Sequence, residues 1–126
     1  DAAALGRAVL EGVAFAFADG QQVLLDAGAQ IDDVTVIGGG AKSPLWGKII
    51  ASVLNRPLIY REGSEVGPAF GAARLARIAV TQLSAQQVCV NGKVTQTIEP
   101  DPIMQDFYAQ QYTAYKALYQ SLKKHF

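Results

Sequence analysis

Val34-Thr35-Val36-Ile37-Gly38-Gly39-Gly40-Ala41-Lys42-Ser43-Pro44-Leu45-Trp46 holds the end of a strand, a bare-backbone bend and the start of a helix. The β-branched run Val34 to Ile37 is apolar on both faces, the pattern of a strand buried in a parallel sheet. Ser43 is a good N-cap, and Pro44 suits the first helical position, where a missing N–H costs nothing. Three glycines between strand and helix let a ligand approach the main chain, because no Cβ stands in the way.

Downstream, Pro44 to Leu54 reads as a helix with a wide apolar face, ended by Asn55 and Pro57. Leu58-Ile59-Tyr60 is a second short strand, so Val34 to Tyr60 forms one strand–helix–strand unit with a right-handed crossover. Glu62-Gly63-Ser64 is a turn before a third helix from about Gly67 to Ala79, whose small residues Gly71, Ala72, Ala73 and Ala76 predict close packing on neighbours. Val88-Cys89-Val90, Asn91-Gly92 and Lys93 to Ile98 match a hairpin with a tight primed turn. Asp101-Pro102 caps a last helix running toward Lys124, with Tyr108, Tyr112, Tyr115, Tyr119 and Leu122 as a packing stripe along one side.

Upstream, Leu5, Val9, Val13, Phe17 and Leu24 recur at helical spacing, predicting a long helix from Ala2 to Ala27 that stops at Gly28. Gly12 and Gly20 inside it are expected to mark close contact with other backbone. Arg7 and Glu11, one turn apart, form a surface pair. The chain opens with Asp1 inside a helical pattern, which suggests a piece of a longer protein. Its strands are too few to complete a parallel sheet, so sheet edge and apolar helix surface should be exposed, favouring self-association or union with missing parts.

The 126 residues, 50% hydrophobic, suit one domain. Eleven basic and eleven acidic side chains cancel, so no long-range field draws nucleic acid or an anionic membrane. Cys89 is the single cysteine, which excludes an internal disulfide and a cysteine-rich zinc site and suits a reducing cytoplasm. The sole histidine, His125, lies at the chain end, leaving no Ser-His or Cys-His chemistry. The longest apolar stretch, Ala8 to Ala18, is interrupted by Glu11 and Gly12 and falls short of the roughly 20 residues of a membrane span.

Two phosphate-binding loops fail on the residues. A P-loop needs glycine before Lys42-Ser43, where Ala41 stands, and another where Val36 stands. The dinucleotide fingerprint would place its third glycine at Ser43, and the nearest acid beyond the next strand, Glu62, falls in a turn.

A longer pattern is more specific. Val36 to Trp46, then Asn55-Arg56-Pro57-Leu58, then Glu65-Val66-Gly67-Pro68-Ala69-Phe70-Gly71-Ala72-Ala73-Arg74-Leu75-Ala76 resembles the closing region of the FGGY carbohydrate kinases. Arg7 to Val13 is similar to the helix before that family's adenosine motif. The wording from Val66 to Ala76 is closest to bacterial members acting on D-xylulose. Two positions depart from it: Ser52, where Asp is common, and Asn55, where Gly is commoner.

The resemblance implies an α/β fold, the C-terminal part of an actin-like (ribonuclease H-like) ATPase lobe, helix-rich with a short parallel strand pair. Residues 1–126 would then be a partial C-terminal domain, the adenosine-binding lobe of a kinase moving the γ-phosphoryl of ATP, with Mg2+, to the 5-hydroxyl of D-xylulose. By carry-over Gly38, Gly39, Gly40 and Ala41 pass near adenine and ribose. Ser43 carries either a hydroxyl near the nucleotide or the helix cap, and the cap explains it fully. Lys42 reads as a solvated lysine or a point charge toward phosphate. Glu65 and Gly67 line the cleft, or else Glu65 favours the third helix electrostatically and Gly67 permits packing. The catalytic base is an Asp of the other lobe, so no residue here is assigned catalysis or a metal, and Mg2+ and sugar are held mainly outside this chain. The alternatives are a kinase for another sugar or polyol, and a non-catalytic actin-like nucleotide-binding or assembly module, which the sequence upstream of Asp1 would separate.

Overall fold

The structure, a computed structural model, describes residues 1–63 and 66–126. In chain order it contains α1 (Ala2–Asp26), β1 (Val34–Thr35), a 3-10 turn (Gly39–Lys42), α2 (Pro44–Leu54), β2 (Leu58–Arg61), α3 (Gly67–Thr81), α4 (Ala85–Val88), β3 (Val94–Ile98), α5 (Pro102–Leu122) and a closing 3-10 turn (Lys123–His125).

The sheet order is β1-β2-β3. β1 runs parallel to β2, pairing Val34 with Leu58 and Thr35 with Ile59, and the Val36 N–H extends the ladder to the Ile59 carbonyl at 3.0 Å. β3 lies antiparallel on the other side of β2, with a register irregularity at Tyr60 and Arg61. The sheet is therefore mixed, one strand larger than the parallel pair expected.

That third strand corrects the hairpin reading. Lys93 to Ile98 does give a strand, but Val88-Cys89-Val90 does not pair with it. Ser84 and Gln87 form a capping box, the Ser84 side chain accepting the Gln87 N–H while the Gln87 side chain accepts the Ser84 N–H, and this winds Ala85–Val88 into a short helix. A primed turn needs positive φ at its first central residue, and at both in type I′, and neither Asn91 nor Gly92 has it. Gly92 is small for another reason: a Cβ there would collide with the Glu62 carbonyl.

α2 is the hub, touching α1, α5, β2, β3 and the 3-10 turn. Ile49, Ile50, Ala51 and Leu54 are buried against Leu58 and Tyr60 of β2, Ala14, Phe15 and Ala18 of α1, and Tyr108 of α5. Phe15 sits in a box of tyrosines, its ring 6.2, 6.0 and 5.5 Å from Tyr108, Tyr112 and Tyr115. Two phenols also reach acids on α1: the Tyr108 hydroxyl donates to Glu11 Oε1 at 3.2 Å and the Tyr112 hydroxyl to Asp19 Oδ1 at 2.6 Å. The aromatic stripe is thus packing for its first three members, while Tyr119 and Leu122 are exposed.

α1 departs from expectation in its orientation. The helix forms, capped by Asp1 accepting the Ala4 N–H at 2.8 Å, with Arg7 and Glu11 paired at 2.7 Å. Yet the periodic residues face out: Leu5 is 70% and Leu24 54% exposed, and Val9, Val13 and Phe17 are exposed with them. The core takes the adjacent face, Ala14, Phe15 and Ala18. A Cβ at Gly12 or Gly20 would meet nothing within 4 Å, so no close neighbour requires glycine at either position, contrary to expectation. At 25 residues α1 is also long and apolar enough to cross a bilayer by length and composition, since Glu11 and Gly12 do not interrupt it; one of its sides is committed to the core just described.

α3 buries none of its described residues and packs chiefly on α4. Its small residues open onto solvent, contrary to the close packing predicted. Arg74 lies over the Phe70 ring, 4.1 Å from the centroid, and donates to the Val90 carbonyl.

Candidate functional site

The glycine bend stands at the C-terminal end of β1, where open parallel sheets bind ligands. Gly38 has φ 92° and ψ −179°, a region essentially closed to residues with a Cβ, and it turns the chain out of the strand. The next residues wind into the 3-10 turn, with the Ala41 N–H bonded to the Gly38 carbonyl at 3.1 Å and the Ser43 N–H to the Gly40 carbonyl at 3.2 Å. A Cβ added at Gly38 or Gly39 would meet open space, so the bend is not packed shut beneath its own fold.

Beside it lies a groove of about 430 Å3, bounded by Gly38, Ala41 and Lys42 on one side and by Tyr60 to Gly63, Thr95 and Gln96 on the other. That volume lies in the range of small-molecule sites. Two larger hollows, of about 560 and 680 Å3, are lined mainly by apolar side chains of α1 with its neighbours. The first has Arg7, Lys48, Ser52 and Tyr108 among its walls and the second Gln21, Asp33 and Thr35, but neither includes the glycine bend.

Local chemistry holds the bend in place. The Ser43 side chain accepts the Trp46 N–H at 3.3 Å, so the cap is realised. The Gly40 Cα faces the Trp46 indole: a Cβ there would lie 2.8 Å from Cε3 and deeper still into Cζ3. One turn on, a Cβ at Gly47 would strike the Tyr60 hydroxyl and lie 2.7 Å from Ile98 Cδ1. The first turn of α2 is thus seated by two glycines, one on Trp46 and one on Tyr60. Burial pushes the Tyr60 phenol above its ordinary pKa. Arg61 donates from Nη1 to the Gly92 carbonyl at 3.3 Å, which fixes the far wall.

The structure thus brings Gly38, Ala41 and Lys42 into one groove, leaves Gly39 and Gly40 exposed on the bend, and turns Ser43 toward the helix. Lys42 is exposed. Gly67 begins α3 at φ 46° with nothing within reach of a Cβ, so conformation rather than packing asks for glycine there. The reading of Glu65 lies outside the described residues, as does Ser64 of the turn. Sequence reasoning missed Tyr60, Arg61, Thr95 and Gln96 as groove residues. Alternation along two short strands was the only signal, and it does not say which strands meet. Among the described residues no three His, Cys, Asp or Glu side chains come together as a metal site would require.

Comparison with known proteins places this geometry among close relatives. Residues 1–80 match the model of the FGGY family of carbohydrate kinases, C-terminal domain. The chain is 41% identical over 119 residues to xylulose kinase of Escherichia coli K12, covering 94% of this chain and 25% of the relative. It is 36% identical over 120 residues to xylulose kinase of Staphylococcus epidermidis RP62A, covering 94% and 24%. It superposes over its full length on 26% of a solved xylulose kinase from Brucella ovis, with TM-score 0.86 and 42% identity. For xylulose kinase from Rhodospirillum rubrum the TM-score is 0.76 at 34% identity, over 96% of this chain and 25% of that one. The chain therefore spans about a quarter of the length of the relatives it matches. These neighbours bear out the actin-like α/β class, helix-rich with a small sheet.

Proposed function

The chain belongs to the FGGY family of carbohydrate kinases, and from that membership we propose that residues 1–126 are the adenosine-binding C-terminal part of a kinase that phosphorylates D-xylulose with ATP. The observation that carries the reading is the open glycine bend at the end of β1, bare at Gly38 and Gly39 and bordered by a groove. Gly38, Gly39, Gly40 and Ala41 offer main chain to the nucleoside, and Ser43 serves the site by capping the helix that carries it. Lys42 stands at the groove's edge as a point charge. In phosphoryl transfer the protein positions groups and neutralises charge. The acidic base, the sugar contacts and the Mg2+ that accompanies ATP belong in this proposal to the remainder of the protein.

D-xylulose as acceptor rests on the relatives' names and on the Val66 to Ala76 wording. A reducing, cytoplasmic setting fits the single exposed Cys89. The outward face of α1, with Leu5, Val9, Val13, Phe17 and Leu24 exposed, is the surface on which the rest of the protein or a second copy would pack. Sedimentation of the 126-residue chain tests this: self-associated species are expected, and a monodisperse, cooperatively melting monomer opposes it.

The nucleotide reading is tested in the whole protein by titrating ATP and ADP against the amide resonances of Gly39 and Gly40. Both should shift saturably, and unshifted resonances at millimolar nucleotide overturn the assignment. ADP release with D-xylulose, compared with glycerol and other ketoses, tests the acceptor.

A further inference from the structure

Resting on the nucleotide reading above, we propose that Trp46 is a positioning residue of this site: its indole ring is the floor that sets the height of the glycine bend. Three observations meet at this side chain. The six-membered half of the ring lies directly under Gly40, where a Cβ would run into Cζ3 and Cε3. The backbone N–H of the same residue is the one the Ser43 cap accepts, at 3.3 Å, so bend and helix start are fixed through a single residue. The Nε1–H, on the edge of the indole remote from Gly40, is buried and has no acceptor among the described residues. No hydrogen bond anchors the ring, and its depth is set by packing alone. A ligand pressing on the bend therefore presses on the indole, and a smaller side chain lets the bend sink.

This assigns different reasons to adjacent glycines. Gly39 is bare toward solvent, and a Cβ there meets nothing, so a side chain at that position obstructs only what binds from outside. Gly40 is bare toward the ring, so a side chain there disturbs the floor from within.

The test is steady-state kinetics of the whole protein with ATP and D-xylulose. Trp46→Leu should raise the KM for ATP about tenfold while kcat and the KM for the sugar change less than about twofold. Gly40→Ala should do the same, and Gly40→Ala combined with Trp46→Leu should be no worse than Gly40→Ala alone, because both act on one contact. Gly39→Val serves as the control for nucleotide binding itself. If Gly39→Val raises the KM for ATP and Trp46→Leu does not, the positioning role is wrong and the nucleotide reading stands. If Gly39→Val has no effect, the nucleotide reading fails and takes the role of Trp46 with it. A parallel rise in both KM values with a lowered Tm marks Trp46 as a general packing residue and overturns the proposal. A variant that does not fold is bypassed by the unmodified protein: the indole N–H resonance missing from Trp46→Phe should shift on adding ADP, and an unmoved resonance refutes the coupling.

Discussion

The Ser52 hydroxyl accepts the backbone N–H of Asp101 at 3.0 Å, joining residues 49 positions apart. The same oxygen donates to the Lys48 carbonyl at 2.8 Å, and the side chain is 97% hidden from solvent, being 3% exposed. One small hydroxyl thus binds the start of α5 to the middle of α2. Ser52→Ala should leave the Asp101 N–H without its acceptor and lower stability by about 1–2 kcal/mol. Thermal melting of the whole protein reads the loss, and an unchanged Tm would show the bond to be incidental.

Phe15 carries more. It is buried and touches three tyrosines of α5. Phe15→Ala should cost roughly 3–5 kcal/mol, the range for removing a buried aromatic ring. Phe15→Leu, which keeps most of the volume, should cost less than half of that. Denaturant titration distinguishes them.

Tyr112 predicts a loss of stability in strong alkali. Burial, with its bond to Asp19 and that residue's negative charge, raises its pKa to about 12. The folded state therefore favours the neutral phenol more than the unfolded chain does. The stabilisation is complete below about pH 10, the unfolded value, and is lost as pH climbs toward 12. Tyr112→Phe should flatten the fall in stability over that window, and an unaltered slope would assign it to other groups. Tyr108 is raised in the same direction, first by burial and next by Glu11, so some slope should remain.

Asn55 ends α2 at φ 49° and ψ 47°, the left-handed region that Asn and Gly enter readily. Its Oδ1 also accepts from Gln105 Nε2 at 2.7 Å. Asn55→Gly should keep the backbone and lose only that exposed contact, staying within about 0.5 kcal/mol of the parent. Asn55→Val should cost at least about 1 kcal/mol through backbone strain. Parallel melting curves test the contrast.

What could be read from the amino acids follows how local each signal is. α2 was legible from end to end, because Ser43-Pro44 starts it and Asn55 stops it within the helix's own residues. The glycine bend was legible for the same reason. β3 was found, but its partner was misplaced: Asn91-Gly92 suggests a neighbour in sequence, whereas the strand pairs with β2 across more than thirty residues. The local signal against the hairpin is Ser84 with Gln87 three positions on, the spacing of a capping box. On α1 two apolar stripes compete, and periodicity alone does not say which one a given stretch of chain covers. The far wall of the groove depends on strand pairing and so was invisible. The mutual fit of Gly40 and Trp46 is likewise a matter of three-dimensional placement.

The tyrosine box around Phe15 has a temporal consequence. The bonds from Tyr108 to Glu11 and from Tyr112 to Asp19 span 97 and 93 positions, so during synthesis α1 waits, without its aromatic seat, until α5 has emerged. Contacts of such long range form late and slowly. Until then α1 is an exposed apolar rod open to misassembly, and the glycine bend hung on α2 gains its lasting support only once Tyr108, Tyr112 and Tyr115 of α5 close on Phe15.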